Sequence, residues 1–427
     1  MKVAVVGAGI AGLACCKYCK EANISVDCFE QTNKIGGTWV YSEATGQDKH
    51  GLPIHSAMYK NLYTNLPKET MSFHDFPFDG FDRSYVTPKE VLEYLEKYVE
   101  KFGFRESIKF EHLVTKVEPI ENGKWRVASQ DLVKDEQKTG IYDAIFVCNG
   151  HHFTPNLPKI LGIENFKGKI MHSHEYRVPE PFTGQKVLTI GAGPSGIDIT
   201  KDLSSVAKSV GFSHHGDPLT TASYESVYSS NVMQLPDVAQ ILEDGKVHFY
   251  NGEVYEFDTI IYCTGYNYSY PFLSPECQIK VEDNHVTELY KHVINLNHPT
   301  MYFIGIPFST LIVPLFDLQV RFCLKFLTKA VELPSTEKMR QDLNEDIYQR
   351  QLRGYKKRKM HQLGKDFMQS YMNELATMAN IEPVKPVIFD IYFRRQLLMR
   401  IDLRNYRNFN YKILDDFNFE ETRQEVL

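Results

Sequence analysis

The sequence predicts an α/β protein made of two βαβ units, one inserted into the other, with a helical C-terminal region. Three observations predict it. Lys2–Val6 is an apolar run of strand length that leads into Gly7, Gly9 and Gly12 in GxGxxG spacing and then into an apolar helix. Lys186–Ile190 leads in the same way into Gly191, Gly193, Ser195 and Gly196. YDAIFVCNG at 142–150 and FDTIIYCTG at 257–265 mirror each other, each reading as a buried parallel strand that ends in glycine. This is the pattern of two dinucleotide-binding, Rossmann-like domains.

In the first unit, Gly7, Ala8, Gly9, Ile10, Ala11 and Gly12 form the turn, and each glycine has its own task. Gly7 makes the bend, Gly9 lets backbone amides approach a pyrophosphate, and Gly12 lets the helix pack on its strand. The pyrophosphate belongs at the helix N-terminus, where unpaired N–H groups and the helix dipole favour negative charge. The second strand, Ile24–Phe29, ends on Glu30, a position from which a carboxylate accepts hydrogen bonds from a ribose diol.

Gly37, Thr38 and Trp39 then bring backbone and a large aromatic close to a flat ligand. Residues 43–85 have no clear period and are rich in Tyr, Phe, Asn and Pro, a composition and length more often functional than merely connecting. Pro88–Phe102 reads as an amphipathic helix capped by Thr87. Short strands are expected over Ile108–Glu118 and Lys124–Ser129.

In the second unit the helix is expected over Ile197–Ser205 and the second strand over Ser209–Ser213. That strand ends on His214 and His215 and carries no acid. A carboxylate repels a 2′-phosphate, so the first unit suits FAD or NAD and the second suits NADP. Met301–Gly305 reads as a further strand and Leu315–Lys329 as a helix returning to the first domain. The domains are therefore expected at 1–155 with 300–427, and at 156–299. From Pro334, with Ser335 as cap, the chain reads as helical and charged through the solvated run Arg353–Lys359. The tail from Val384 mixes apolar, aromatic and arginine residues and is expected to cap the core or to join two copies of the chain.

Composition removes several classes. A net charge of -6 over 427 residues gives no basic field for nucleic acid. No run approaches the ~20 apolar residues of a membrane span, so the chain reads as soluble. The strand at residue 2 leaves no room for a leader, which suits the cytoplasm; a leader removed ahead of it means secretion. The eight cysteines show no metal-ligand spacing and read as reduced, buried thiols. Sequons at Asn23 and Asn267 occur at chance frequency.

GAGIAG at 7–12, GGTW at 36–39, YTN ending at Asn65, DFPF at 75–78, FKGKIMHSHEYR at 166–177, GAGPSG at 191–196 and CTGY at 263–266 together resemble the flavin-containing monooxygenases. The likeness runs to about Glu382, and HGLPIHSAMYKNL is similar to the soluble insect members that N-oxygenate pyrrolizidine alkaloids such as senecionine. It implies that FAD occupies the first unit and NADP(H) the second. Reduced flavin and O2 then form a C4a-hydroperoxide, whose distal oxygen passes to a tertiary amine or a sulfide.

The resemblance places Asn65, flanked by Thr64 and Leu66, beside the flavin, where its amide donates to the peroxide oxygen. It makes Phe166, Gly168, His172 and Tyr176 a linker that couples NADP binding to the flavin, and puts Asp198 and Gln319, with Arg321 as a weaker candidate, near the cofactors. Three departures stand out. There is no hydrophobic C-terminal anchor and no long helical insertion after the second unit, and His214 and His215 replace the arginine that meets the 2′-phosphate. Strict NADPH preference is therefore not expected. A disulfide reductase is excluded because no cysteine falls between Cys28 and Cys148. A Baeyer-Villiger monooxygenase, which oxidises ketones, is the nearer rival, and a flavin-binding scaffold without turnover is the non-enzymatic one.

Overall fold

A computed structural model of the chain describes residues 1–215 and 227–424. The apolar run Lys2–Val6 lies inside a seven-stranded sheet, next to its central strand Ala144–Val147. Parallel partners flank it in the order Ile108–Lys109, Ser25–Phe29, Lys2–Val6, Ala144–Val147 and Met301–Phe303. Val3, Val5 and Phe146 are fully buried on one face, against the helices Ile10–Glu21 and Ile312–Leu327. The second sheet has five strands, all parallel: Val232–Leu235, Ser209–Ser213, Lys186–Ile190, Thr259–Tyr262 and Lys169–His172.

The helix Pro88–Phe102 forms as the sequence predicts, because Thr87 Oγ1 and Glu90 exchange the two bonds of a capping box. Its inner face stacks on the irregular 43–85 segment: Phe73 on Tyr98 at 3.9 Å and Phe78 on Tyr94 at 4.1 Å. Lys17, 2 % exposed, pins that segment through Asp75 at 2.6 Å. Aromatic packing and this ion pair hold a stretch that has almost no backbone ladder of its own.

The chain crosses between the sheets at a small two-stranded ribbon, Thr154–Pro155 against Tyr266–Asn267. This moves the expected boundary. Leu289–Tyr290 and Ile294–Asn295 add antiparallel strands to the first sheet, and Phe272 and Cys277 sit in its core. The return therefore falls near residue 268 rather than 300. Short antiparallel strands give little periodicity, which hides the return from a reading by pattern.

One further expectation changes, and the tail takes one of its two expected places, capping a core. The helix Thr336–Leu352 stops before the basic run, because Gly354 takes φ +77°, and residues 357–359 form a single 3-10 turn. The tail helix Pro386–Ile401 and the hairpin Phe409–Ile413/Phe419–Arg423 dock on the second domain as well as the first. Val387, Ile391, Leu403, Tyr406 and Tyr411 share a core with Tyr85 and Phe212. All eight cysteines are free and buried.

Candidate active site

The two glycine turns obey the same steric restrictions. Gly7 has φ +101° and Gly191 φ +107°, and a Cβ on either meets a carbonyl oxygen of the next strand end, Cys148 at 2.7 Å and Cys263 at 2.6 Å. Gly12 and Gly196 are tighter: a Cβ there comes within 1.8 Å of the carbonyl oxygens of Gly7 and Gly191. Gly9 and Gly193 differ in kind. Nothing lies within 4 Å of a Cβ at Gly193, and at Gly9 the nearest atom is the Gly37 Cα at 3.7 Å. These two glycines keep space clear for something other than protein.

Each is the N-cap of its helix and supplies no side-chain cap. The first intrahelical bonds are Leu13 N–H to Gly9 O at 3.0 Å and Ile197 N–H to Gly193 O at 3.1 Å, which leaves the earlier amides, with Ile10, Ala11 and Ser195 among them, to a ligand. Pro194 lacks an N–H, so the second turn has one donor fewer.

Around the first turn, Gly37–Trp39 forms a 3-10 turn entered through Gly36 at φ +109°. Thr38 Oγ1 is buried without a hydrogen-bond partner, and Trp39 is half-buried. A buried hydroxyl left unpaired is costly, so it marks a place for a polar ligand. Glu30, 6 % exposed, accepts from Ala8 N–H at 2.9 Å, Thr32 N–H at 2.9 Å and Thr32 Oγ1 at 2.8 Å. Burial pushes its carboxyl upward against the pull of those donors. Of about four lone-pair sites on a carboxylate, one remains for a ribose hydroxyl. The clear glycine face, the helix terminus, the orphan hydroxyl and the acid together fit a flavin dinucleotide.

At the second unit the two histidines separate. His214 is 8 % exposed and its Nε2 lies 3.0 Å from Gln234 Oε1, while His215 is exposed with Nδ1 2.6 Å from Asp237 Oδ2. His215 is the more exposed of the two, and it brings a carboxylate with it. Asp198, expected near the cofactors, accepts from Arg407 on both carboxylate oxygens, at 2.9 and 2.7 Å.

The expected linker is part of the second domain. Phe166 is in its core, a Cβ on Gly168 would strike Asp258 O at 2.2 Å, and Lys169–His172 is its edge strand. His172 Nδ1 accepts His174 N–H at 3.1 Å, which assigns the ring proton to Nε2, 3.1 Å from Gly265 O. Tyr176, fully buried, donates to Asp202 Oδ2 at 2.6 Å. Gln319 is likewise committed to the protein, accepting Gly305 N–H and donating to Tyr371 OH, both at 2.9 Å. Arg321 bonds Asp317 and the Glu382 carbonyl. These partners come from distant segments, which motif spacing does not reveal.

Asn65 is half-buried between Thr64 and Leu66, which are buried, and no described residue hydrogen-bonds its amide. The crossover holds a group that motif reading missed: His55, His151, His152 and His174 around Phe153 and Tyr266. His55 stacks on Phe153 at 5.1 Å, and Tyr266 meets the rings of His152, His172 and His174 at 5.6, 5.1 and 5.8 Å. His152 keeps surface open to solvent, its ring beside those of His151 and Tyr266. Burial pushes His55 and His172 down to about 4 and His151 to about 3, and lowers His152 and His174. At neutral pH the crossover is lined by uncharged imidazoles. The His-His doublet directly after a strand end was the available signal.

A family model described as flavin-binding monooxygenase-like matches residues 1–244 and 225–427. The chain belongs to that family. The senecionine N-oxygenase of Tyria jacobaeae is 34 % identical over 431 residues, covering 100 % of this chain and 93 % of that one. The flavin-containing monooxygenase FMO GS-OX5 of Arabidopsis thaliana is 39 % identical, covering 90 % and 86 %. Among solved structures, an S-allyl-L-cysteine S-oxygenase from Allium sativum superimposes with TM-score 0.88 at 32 % identity, covering 95 % and 94 %. Tmm from Pelagibacter sp. strain HTCC7211 gives 0.84 at 26 %, covering 96 % and 93 %. This flavin monooxygenase is thus an oxidoreductase, and among the described residues no helix is long and apolar enough to cross a membrane.

Proposed function

We propose that this flavin monooxygenase holds FAD on the first glycine turn and NADP(H) on the second, and N-oxygenates tertiary amines, pyrrolizidine alkaloids being the candidate class. The observation that carries the amine reading is the likeness to an N-oxygenase over the whole chain, and the uncharged crossover is compatible with it. An environment that keeps His55, His151 and His172 neutral also disfavours an ammonium ion, so an amine enters with its lone pair free. The flavin supplies the activated oxygen when reduced in the presence of O2. The residues hold the cofactors, line the crossover with groups that carry no charge at neutral pH, and offer the Asn65 amide as a donor to the oxygen being transferred. No side-chain acid or base is required at the substrate. The full-length likeness to an N-oxygenase supports this reading.

A sulfide as substrate is the second reading, favoured by the likeness to the Allium sativum S-oxygenase. Product analysis with NADPH, O2 and a panel of a pyrrolizidine alkaloid, a simple tertiary amine, a thioether and a cyclic ketone tests both. N-oxide as the best-coupled product is expected; sulfoxide alone selects the second reading, and lactone without N-oxide overturns both.

Asn65→Ala is expected to leave NADPH oxidation running while product per NADPH falls at least about tenfold, the scale of losing one aimed donor. Peroxide release measured beside product checks this, and unchanged coupling removes Asn65 from the site. Asp237→Asn is expected to raise kcat/KM for NADPH over NADH a few-fold, about the worth of one exposed charge pair. The carboxylate 2.6 Å from His215 is the repulsive element it removes. Steady-state comparison of the two nucleotides at low salt checks it.

A further inference from the structure

Arg407 lies in the C-terminal segment, far along the chain from either glycine turn, and its guanidinium joins three parts of the molecule. Nη1 and Nη2 donate to Asp198 Oδ1 and Oδ2 at 2.9 and 2.7 Å, a two-pronged pair. Nε donates to Thr64 O at 3.1 Å, and Nη2 also reaches Tyr63 O at 3.4 Å. Asp198 is on the helix Pro194–Leu203, about one turn past the Gly193 cap. Tyr63 and Thr64 run directly into Asn65.

The same loop meets that helix twice more. Tyr59 OH donates to Asp198 Oδ2 at 3.2 Å and Asn61 Nδ2 to Asp202 Oδ1 at 2.9 Å. Arg407 is the member supplied by a third segment, whose seat is the core formed by Tyr85, Phe212, Leu403, Tyr406 and Tyr411. The pair is largely shielded, with side-chain exposures of 24 % and 16 %. Burial pulls the Arg407 pKa down, but Asp198 outweighs it and holds the guanidinium charged. Five donors in a rigid plane let one side chain satisfy a carboxylate and two carbonyls together, which a lysine does not do.

We propose that Arg407 is a positioning residue for the monooxygenase reaction: through Asp198 it fixes the backbone before Asn65 to the second domain's nucleotide-binding helix. The tail thereby makes the aim of Asn65 depend on how the second domain docks. The inference rests on the reading of Asn65 given above.

The test uses the full-length, flavin-loaded enzyme with Arg407→Gln, Arg407→Lys, Asp198→Asn and the Arg407→Gln/Asp198→Asn double variant, beside Asn65→Ala. With NADPH and a tertiary amine or thioether, Arg407→Gln is expected to cut product per NADPH by about tenfold, the worth of one or two charge-assisted bonds. Arg407→Lys is expected to recover part of that, and the double variant to be no worse than the single, since one unit is being broken. Native-state hydrogen exchange gives a readout independent of turnover. The amides of Lys60, Leu62 and Thr64, bonded to Arg177 O, Tyr59 O and Val86 O at 2.9, 3.2 and 2.8 Å, are expected to exchange about tenfold faster in Arg407→Gln.

Unchanged exchange at those amides in folded Arg407→Gln overturns the inference. So does unchanged coupling there when Asn65→Ala uncouples, or a double variant whose losses simply add. If Asn65→Ala itself leaves coupling intact, the reading of Asn65 fails instead, and exchange alone then decides whether Arg407 fixes the loop.

Discussion

Gly12→Ala is expected to abolish flavin-loaded protein, whereas Gly9→Ala is expected to fold and bind flavin weakly. Both change one hydrogen to a methyl group within the same turn, so the difference isolates what each glycine is for. At Gly12 the new carbon lies 1.8 Å from the Gly7 carbonyl oxygen, backbone against backbone, and the helix must lift off its strand. A displacement of that kind belongs with the rare substitutions that cost more than about 4 kcal/mol. At Gly9 the carbon meets only the Gly37 backbone, Cα at 3.7 Å and N at 4.0 Å, ordinary contacts, and projects towards the expected place of the pyrophosphate.

The second unit repeats the contrast. Gly196→Ala meets the Gly191 carbonyl oxygen at 1.8 Å, and Gly193→Ala meets nothing within 4 Å. Gly193→Ala is therefore expected to keep its flavin and thermal midpoint and to lose NADPH affinity by about tenfold or more, or roughly 1.4 kcal/mol. Flavin content after gel filtration, thermal midpoint and nucleotide titration check all four variants. A Gly9→Ala or Gly193→Ala protein with unaltered ligand affinity removes that turn from its cofactor site.

The second large effect is loss of stability in mild acid. His172 Nδ1 accepts His174 N–H, and His361 Nε2 accepts Val286 N–H at 3.0 Å, so neither nitrogen takes a proton without giving up its bond. His292 Nδ1 lies 3.0 Å from His361 Nδ1, with Arg350 Nη2 3.2 Å from its other nitrogen. Burial, with the neighbouring Arg350, lowers His292 well below its usual range, and burial and His292 do the same to His361. His285, beside them, is lowered as well.

Folded-state values below the unfolded ones mean that the unfolded chain binds more protons. The stability these histidines contribute is complete above about pH 6.5 and drains as pH falls towards the folded values. For His172, held down to about 4, the loss across that window is up to about 3 kcal/mol. Carboxylates held low by their partners add losses only below about pH 4. Urea midpoints are expected to stay nearly level from pH 7.5 to 6.5 and to fall from 6.5 to 5.5, and His172→Gln to flatten that fall. A midpoint unchanged from pH 7.5 to 5.5 overturns the account.

The amino-acid sequence by itself determined the two units and the order of their parts. A strand, a glycine turn and a helix are local events, and Gly7, Gly12, Gly191 and Gly196 are demanded by contacts within a dozen residues or with the next parallel strand. The capping box at Thr87 and Glu90 is equally local, and the motifs that resemble the flavin-containing monooxygenases are short and contiguous.

Tertiary structure decided where the polar side chains spend their hydrogen bonds. Asp198 and Gln319 stand at positions the motifs associate with cofactors, yet one is taken by Arg407, 209 residues away, and the other by Gly305 and Tyr371. The domain return near 268, the neutral histidine crossover and the seat of the tail are of the same kind. Each depends on groups brought together from distant segments, and a side chain's partner at that range leaves no period or spacing in the chain, because only the packed core sets which surfaces meet.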